Sequence, residues 1–430
     1  MFIIYDFIFL IFAIFNLPVY LFRRKFHRKF FMRLGVTPPD TELRNPIWIH
    51  AVSVGEAVAV RSLIAELRKI FPDKRFVLST VTATGNKIVQ SIAKEGDFIT
   101  YLPLDFSFIV KKVMDKINPS LFIIAETEIW PNLISYLYKK NIPIVTVNGR
   151  ISDASFKGYS SIRFLLKPVL NKISLFCVQG NRDAERLKSL GVTQGKVRIT
   201  GNMKFDNVDY NYQIKDSQNL KLKLGMSAQE KLLVAGSTHP GEEEIILSIY
   251  KDLIAELQGL KLLIAPRHPE RSKEVASLVS SFGFRSVLIS TLVSNCSTCI
   301  PKPVFILDTI GELIHFYNIS EIVFVGGSLV KKGGHNILEP ASLAKPVIFG
   351  PYMFNFKDIA ELFISNKAAV LVNNPQELRE QIRELFKNAS YYEELGRKAK
   401  DLIQKNIGST RRSIELIKTI IEDKANAISY

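Results

Sequence analysis

Short apolar runs alternating with longer amphipathic stretches constrain this chain more than any other feature. Residues 47–54, 76–81, 121–125 and 142–147 are short and mostly apolar, the pattern of strands buried on both faces. Between them, residues 56–70, 84–94 and 130–140 carry apolar positions at helical spacing. This alternation builds βαβ units and an open parallel sheet. A polar stretch at 206–219 interrupts it. The pattern resumes at 232–235, 260–265, 304–307, 322–325 and 347–349, and long helical segments from 375 to 422 close the chain. At 430 residues the chain exceeds one ordinary core. The sequence therefore predicts an α/β protein of two Rossmann-like, doubly wound domains, at 36–205 and 226–430, with a hinge at 206–225. Ligands of such sheets bind beyond the carboxyl ends of the strands, so a cleft between the domains is the expected active site.

Residues 1–35 follow another logic. Phe2 to Phe22 is almost wholly apolar, broken by Asp6, Asn16 and Pro18, and runs into Arg23, Arg24, Lys25, Arg28, Lys29 and Arg33. About 20 apolar residues cross a bilayer, so the run is only just long enough, and a helix lying in the interface is the alternative. The basic flank would stay cytoplasmic and place the rest of the chain there. It also explains part of the formal net charge of +16 through attraction to an anionic leaflet. Nucleic acid is a weaker partner, because no helix-turn-helix spacing, ribonucleoprotein signature or zinc-finger ligand set is present. Three cysteines cannot build a disulfide framework, and Cys296 and Cys299 form a lone Cys-x-x-Cys without further context.

Several strand ends carry chemistry. In His50-Ala-Val-Ser-Val-Gly-Glu56, a strand runs into a helix and sets Glu56 on its first turn. A carboxylate there would repel a pyrophosphate, so the first domain is not expected to hold a nucleotide. Glu56 suits a general base, and equally a helix cap favoured by the dipole. Ala125-Glu-Thr-Glu-Ile-Trp-Pro-Asn132 places Glu126 and Glu128 at a second strand end, where they are expected on opposite sides. Gly201-Asn-Met-Lys-Phe-Asp206 offers Lys204 before the hinge. In the second domain, Ala235-Gly-Ser-Thr-His-Pro-Gly241 and Ala265-Pro-Arg-His-Pro-Glu270 suit phosphate oxygens. The run from Val325 to Ala341 contains Gly333-Gly334 leading into a helix expected near His335 or Asn336. Its bare amides would form an anion site, with Glu339 one turn in to accept from ribose hydroxyls. Asp308-Thr-Ile-Gly-Glu312 adds a turn on the same edge. No Asp-x-Asp triplet or His/Cys cluster has metal spacing, so no metal site is expected.

These motifs, in this order, closely resemble the bacterial Kdo (3-deoxy-D-manno-octulosonic acid) transferases of lipopolysaccharide assembly. Ser-Val-Gly-Glu, Glu-Thr-Glu-x-Trp-Pro-Asn, Asn-Gly-Arg at 148–150, Gly-Asn-x-Lys-Phe-Asp, Pro-Arg-His-Pro-Glu and Gly-Gly-His-Asn-x-x-Glu-Pro all match, over nearly the whole chain. The resemblance implies the GT-B pairing of two Rossmann-like domains. It implies inverting transfer of Kdo from CMP-Kdo to the lipid A precursor (lipid IVA) at the cytoplasmic face of the inner membrane, with no further cofactor. It makes Glu56 the general base and Glu126 and Lys204 its transition-state partners. It assigns Pro266, Arg267, Ile310, Gly311, Glu312, Asn336, Ile337, Leu338 and Glu339 to CMP. Ala125 departs from the larger apolar residue common there, and residues 296–303 match no motif. The rivals are a nucleotide-sugar epimerase of the same architecture and a non-catalytic membrane-surface binding protein.

Overall fold

The computed structural model describes residues 5–7, 9–11, 14–15, 30–35, 43, 45–208, 217–292 and 303–428. The chain divides into two compact units, one of residues 1–207 with 406–430 and one of residues 208–405. In the first, β1 (Ile47–His50), β2 (Phe76–Thr80), β3 (Phe98–Tyr101), β4 (Leu121–Ala125), β5 (Ile144–Gly149), β6 (Leu175–Val178) and β7 (Val197–Ile199) form one sheet. Its order is β3-β2-β1-β4-β5-β6-β7, and every pairing is parallel. In the second, β8 (Lys231–Thr238), β9 (Leu260–Pro266), β10 (Arg285–Leu288), β11 (Pro303–Ile306), β12 (Ile322–Val325), β13 (Val347–Phe349) and β14 (Val370–Leu371) follow the order β10-β11-β9-β8-β12-β13-β14. These too are parallel throughout. The central strands are buried on both faces, which is why they read as unbroken apolar runs.

Strand order reverses between β1 and β4 in the first unit and between β8 and β12 in the second. A crevice opens at such a switch point because neighbouring crossovers leave to opposite faces. The Glu56 and Glu126 motifs follow β1 and β4, and the His239 and Gly326 motifs follow β8 and β12.

Three expectations change. The first strand ends at His50 rather than residue 54, and its helical stretch is two helices, Val54–Ala59 and Arg61–Ile70, meeting at Val60. Residues 217–223 of the expected hinge form a helix of the second unit, tied down by Asn318 Nδ2 donating to Ser217 Oγ at 2.8 Å. The last helix, Ser409–Ile428, belongs to the first unit, although the sequence division gives all of 226–430 to the second domain. Asp206 caps it from far away in sequence, accepting from the amides of Gly408 and Thr410, each at 2.6 Å, and Ile414 and Ile417 enter the core beside Met203 and Cys177.

Among the described residues, no helix is long and apolar enough to cross a membrane. Most of the expected anchor at 1–35 lies outside the described residues, as do Cys296 and Cys299.

Candidate active site

The first unit gathers three carboxylates at its switch point. Ser53 caps the helix Val54–Ala59, its Oγ accepting from the Glu56 amide at 3.4 Å. Glu56 folds back over this turn. Its Oε2 accepts from the Val52 amide at 2.7 Å, and its Oε1 accepts from Ser53 Oγ at 2.9 Å. The side chain is therefore a cap, as one sequence reading has it. It is also only 8% exposed. Burial, followed by the nearby negative charges of Glu126 and then Glu128, outweighs these hydrogen bonds and pushes its carboxyl up to about 8. Desolvation and like charge both disfavour the ionised form, which makes Glu56 a stronger base than an ordinary carboxylate.

Glu126 adopts φ 57°, in the left-handed region that non-glycine residues rarely occupy. Such strain costs about 1–3 kcal/mol and persists only where surrounding structure enforces it. Here the Glu126 amide donates to the Val147 carbonyl at 2.8 Å, tying the turn to β5. The expectation that Glu126 and Glu128 lie on opposite sides fails, because residues two apart in an extended segment share a face, and both carboxylates act on Glu56. Burial and then Glu126 raise the Glu128 carboxyl.

Lys204 lies on the 3-10 helix Met203–Asn207, which packs against the helix bearing Glu56. Asn207 fixes the contact, donating from Nδ2 to the Ala59 carbonyl at 2.9 Å. Asn148 holds the other side: fully buried at φ 53°, its Oδ1 accepts from the Met203 amide at 3.0 Å. Arg150 follows, its amide donating to Thr127 Oγ1 at 3.1 Å. The Asn-Gly-Arg segment therefore ties the Glu-Thr-Glu turn to the Lys204 helix, a role that sequence spacing left unassigned.

In the second unit, the expected nucleotide segments meet at the carboxyl edge of the sheet. Pro266 ends β9, and the Arg267 amide donates to the Thr238 carbonyl at 2.9 Å. Ile310 is exposed, Gly311 takes φ 87°, and Glu312 Oε2 accepts from Thr309 Oγ1 at 2.6 Å. Glu312 then leads into the helix Leu313–Ile319, which packs against Leu338–Ser342. Asn336 Nδ2 donates to Glu339 Oε1 at 3.0 Å, while burial raises the Glu339 carboxyl. Ile337 and Leu338 bury their side chains in the core, leaving the main chain as their means of touching a ligand.

The glycine-rich loop differs from expectation. The helix begins at Leu338, not at His335 or Asn336, and runs only to Ser342. Gly333 and Gly334 take φ 99° and 68°, turning the chain back instead of starting a helix. The Gly334 amide donates to the Gly327 carbonyl at 2.8 Å and the Leu338 amide to Asn336 Oδ1 at 3.1 Å, so neither is bare. The upstream amides are taken as well. Glu242, fully buried at the start of the helix Glu242–Glu256, accepts from Gly327 at 2.7 Å and from Ser328, Leu329 and His239, each at 3.0 Å. An internal carboxylate thus fills the nest that the sequence suggests for a phosphate. Beside it, His239 Nε2 and His335 Nε2 lie 2.9 Å apart. Burial and then Arg267 lower the His335 imidazole to about 4, and burial and then Lys332 lower that of His239.

Residues 28–207 match the family described as 3-deoxy-D-manno-octulosonic-acid transferase (kdotransferase), and residues 299–402 match glycosyl transferases group 1. Over 378 residues, 87% of each chain, the protein is 36% identical to the 3-deoxy-D-manno-octulosonic acid transferase of Haemophilus influenzae. It is 33% identical to that of Chlamydophila psittaci over 367 residues, 83% of this chain and 82% of that one. Among solved structures, a UDP-GlcNAc 2-epimerase from Neisseria meningitidis bound to UDP-GlcNAc aligns with a TM-score of 0.58, over 87% of this chain and 100% of that one. At 14% identity that likeness shows the fold alone.

Proposed function

The chain belongs to the 3-deoxy-D-manno-octulosonic-acid (Kdo) transferase family, and on that premise we propose that it moves Kdo from CMP-Kdo to a hydroxyl of the lipid A precursor, lipid IVA, in lipopolysaccharide biosynthesis. The observation that carries the reading is Glu56, a buried carboxylate of raised basicity under the charge of Glu126 and Glu128 at the switch point of the first sheet. The reaction is a single inverting displacement. Glu56 takes the acceptor hydroxyl proton as that oxygen forms a bond to the anomeric carbon of Kdo. The bond from that carbon to the CMP phosphate oxygen breaks, and its electron pair leaves with CMP. Lys204 offsets charge on the departing phosphate, and Glu126 shares in the transition state.

In the second unit Pro266, Arg267, Ile310, Gly311, Glu312 and Asn336 to Glu339 hold CMP, Glu339 through the ribose hydroxyls. With the amides of Gly327 to Leu329 held by Glu242, phosphate recognition falls to Arg267 and to main-chain groups outside that nest. The donor arrives already activated, so the scheme uses no cofactor. The enzyme works at the anionic cytoplasmic surface of the bacterial inner membrane, a reading supported by the apolar run and the basic cluster behind it.

Mass spectrometry of lipid IVA incubated with the protein and CMP-Kdo tests this directly. Mass steps of one or more Kdo units are expected, with inverted anomeric configuration by NMR. No step from folded protein, with no stabilisation by CMP, would leave the binding-protein reading. Release of a free sugar epimer without any lipid acceptor would favour the epimerase.

A further inference from the structure

We propose that Asp206 is a positioning residue for the transfer reaction: by gripping the first turn of the last helix, it sets Lys204 against the helix that bears Glu56. The inference rests on the role of Lys204 given above and names what aims that side chain.

Lys204 stands on an element with little hold on itself. The 3-10 helix Met203–Asn207 has five residues, and helices of this kind have poor hydrogen-bond geometry and stay short. At its start the Phe205 amide reaches the Asn202 carbonyl only at 3.2 Å. Met203 and Phe205 are buried, but apolar side chains carry no directional bonds. The register of the turn must come from its polar contacts.

On one flank those contacts reach the Glu56 side. Besides the bond from Asn207 to the Ala59 carbonyl, Ser62 Oγ shares its hydrogen between Asn207 Oδ1 at 2.8 Å and the Asp206 carbonyl at 3.2 Å. Ser62 lies on the helix Arg61–Ile70, which meets the Glu56 helix at Val60.

On the other flank stands the Asp206 carboxylate. Its Oδ1 accepts from the Gly408 amide and its Oδ2 from the Thr410 amide. Both oxygens are thus engaged at the positive end of the twenty-residue helix Ser409–Ile428, where a carboxylate makes strong, charge-assisted bonds. Two more bonds lace the same joint. The buried Ser409 Oγ donates to the Gly201 carbonyl at 2.7 Å, and Arg412 Nε donates to the Thr200 carbonyl at 2.8 Å. Gly201, at φ 96°, permits this approach, since a Cβ there would stand 3.0 Å from Arg412 Nη2.

A helix can be capped by a Ser or Asp just before its first turn. Here that place is Gly408, which has no side chain to accept with. Drawing the acceptor from the Lys204 turn instead joins the last helix, anchored in the core by Ile414 and Ile417, to the candidate site. Lys204 is therefore held from two sides, by Asn207 towards Glu56 and by Asp206 towards the last helix.

The test is transfer kinetics of full-length variants with CMP-Kdo and lipid IVA, well below every Tm. Asp206→Ala is expected to lower kcat about 10–10²-fold, as a small misplacement of a catalytic group does. The KM for CMP-Kdo should stay within about twofold, because the proposed CMP contacts lie in the second unit. Asp206→Asn, which keeps one accepting oxygen, is expected to recover part of the loss. Ile417→Ala loosens the same helix from its core side and serves as the control for stability. A fall in kcat as large as that of Asp206→Ala, at equal loss of Tm, would overturn the proposal. In a Lys204→Ala background, Asp206→Ala is expected to cost less than about twofold more, because the group it aims is gone. Fully additive losses would overturn the positioning while wild-type transfer upholds the function. Should the alanine variant not fold, Asp206→Asn is read in the same cycle, with the same two outcomes. Wild-type protein that transfers no Kdo would sink the function itself, and the positioning with it.

Discussion

Replacing Glu56 by glutamine removes one ionisable carboxyl and keeps an oxygen to accept from the Val52 amide. Its effect on stability has a definite sign. The folded protein holds the Glu56 proton up to about pH 8, against an ordinary value of 4.5. Below pH 4.5 the group is protonated in both states and costs nothing. Between 4.5 and 8 the unfolded chain ionises while the folded one resists, so stability falls as pH rises, and the loss levels off above 8. At 1.36 kcal/mol per unit the full shift is worth up to about 4–5 kcal/mol. Coupling to Glu126 and Glu128 spreads that cost over three groups, and about 2 kcal/mol is the share expected for Glu56. For a unit of this size that is roughly 4–8 °C in Tm. Calorimetry from pH 5 to 9 is expected to show Glu56→Gln gaining on wild type as pH rises, while transfer falls about 10²–10⁴-fold. Wild-type kcat/KM is expected to climb with pH towards a limb near 8. A variant destabilised at every pH would refute the raised basicity, and a variant with near-normal turnover would refute the base.

Lys204→Ala is expected to lower kcat about 10²–10³-fold while leaving the rise of rate towards pH 8 in place, as the proposed role of Lys204 on the leaving group and not in proton transfer requires. Steady-state kinetics across pH separates the two. Glu242→Ala empties the nest under Gly327, Ser328 and Leu329, leaving buried amides unpaired at about 1–3 kcal/mol each. Weaker CMP binding by titration calorimetry, about tenfold or more, is expected along with a lower Tm. Gly334→Ala meets the Met353 sulfur 2.1 Å from its new Cβ, at φ 68°. A loss of about 2–4 kcal/mol by chemical denaturation is expected.

The alternation of apolar runs made the parallel sheets legible, since a strand buried on both faces has no polar positions to obscure it. Strands β3, β6, β7, β10 and β14 escaped; all lie at a sheet edge or next to one, and β7 is largely exposed. The final helix was assigned to the wrong unit for a related reason. Its cap is Asp206, and nothing in local composition connects residues so far apart. At the candidate site, the spacing of Glu56 left base and cap open, and the structure shows the cap together with a raised carboxyl that suits a base. Glu126 and Glu128 were misread because residues two apart in an extended segment share a face, and the left-handed turn at Glu126 is invisible in the spacing. Asp6 reads as a break in an apolar run, and in the fold its carboxylate accepts from Ser107 and Asn132.

Both units set a carboxylate at the switch point, and the donors around each separate their roles. Glu242 receives four backbone amides, which oppose the rise that its burial imposes on the carboxyl and fix the loop around it. Glu56 receives one amide and one hydroxyl, with two further carboxylates in place of the remaining donors. Its charge is under-compensated, and a proton is the ligand that relieves it. An acceptor hydroxyl brought to such a group gives up its proton at a lower barrier than it would to an exposed carboxylate. Position at a strand end therefore does not identify a base. The balance between donors and neighbouring charge separates the two, and by that measure Glu56 is the candidate base and Glu242 the anchor of its loop.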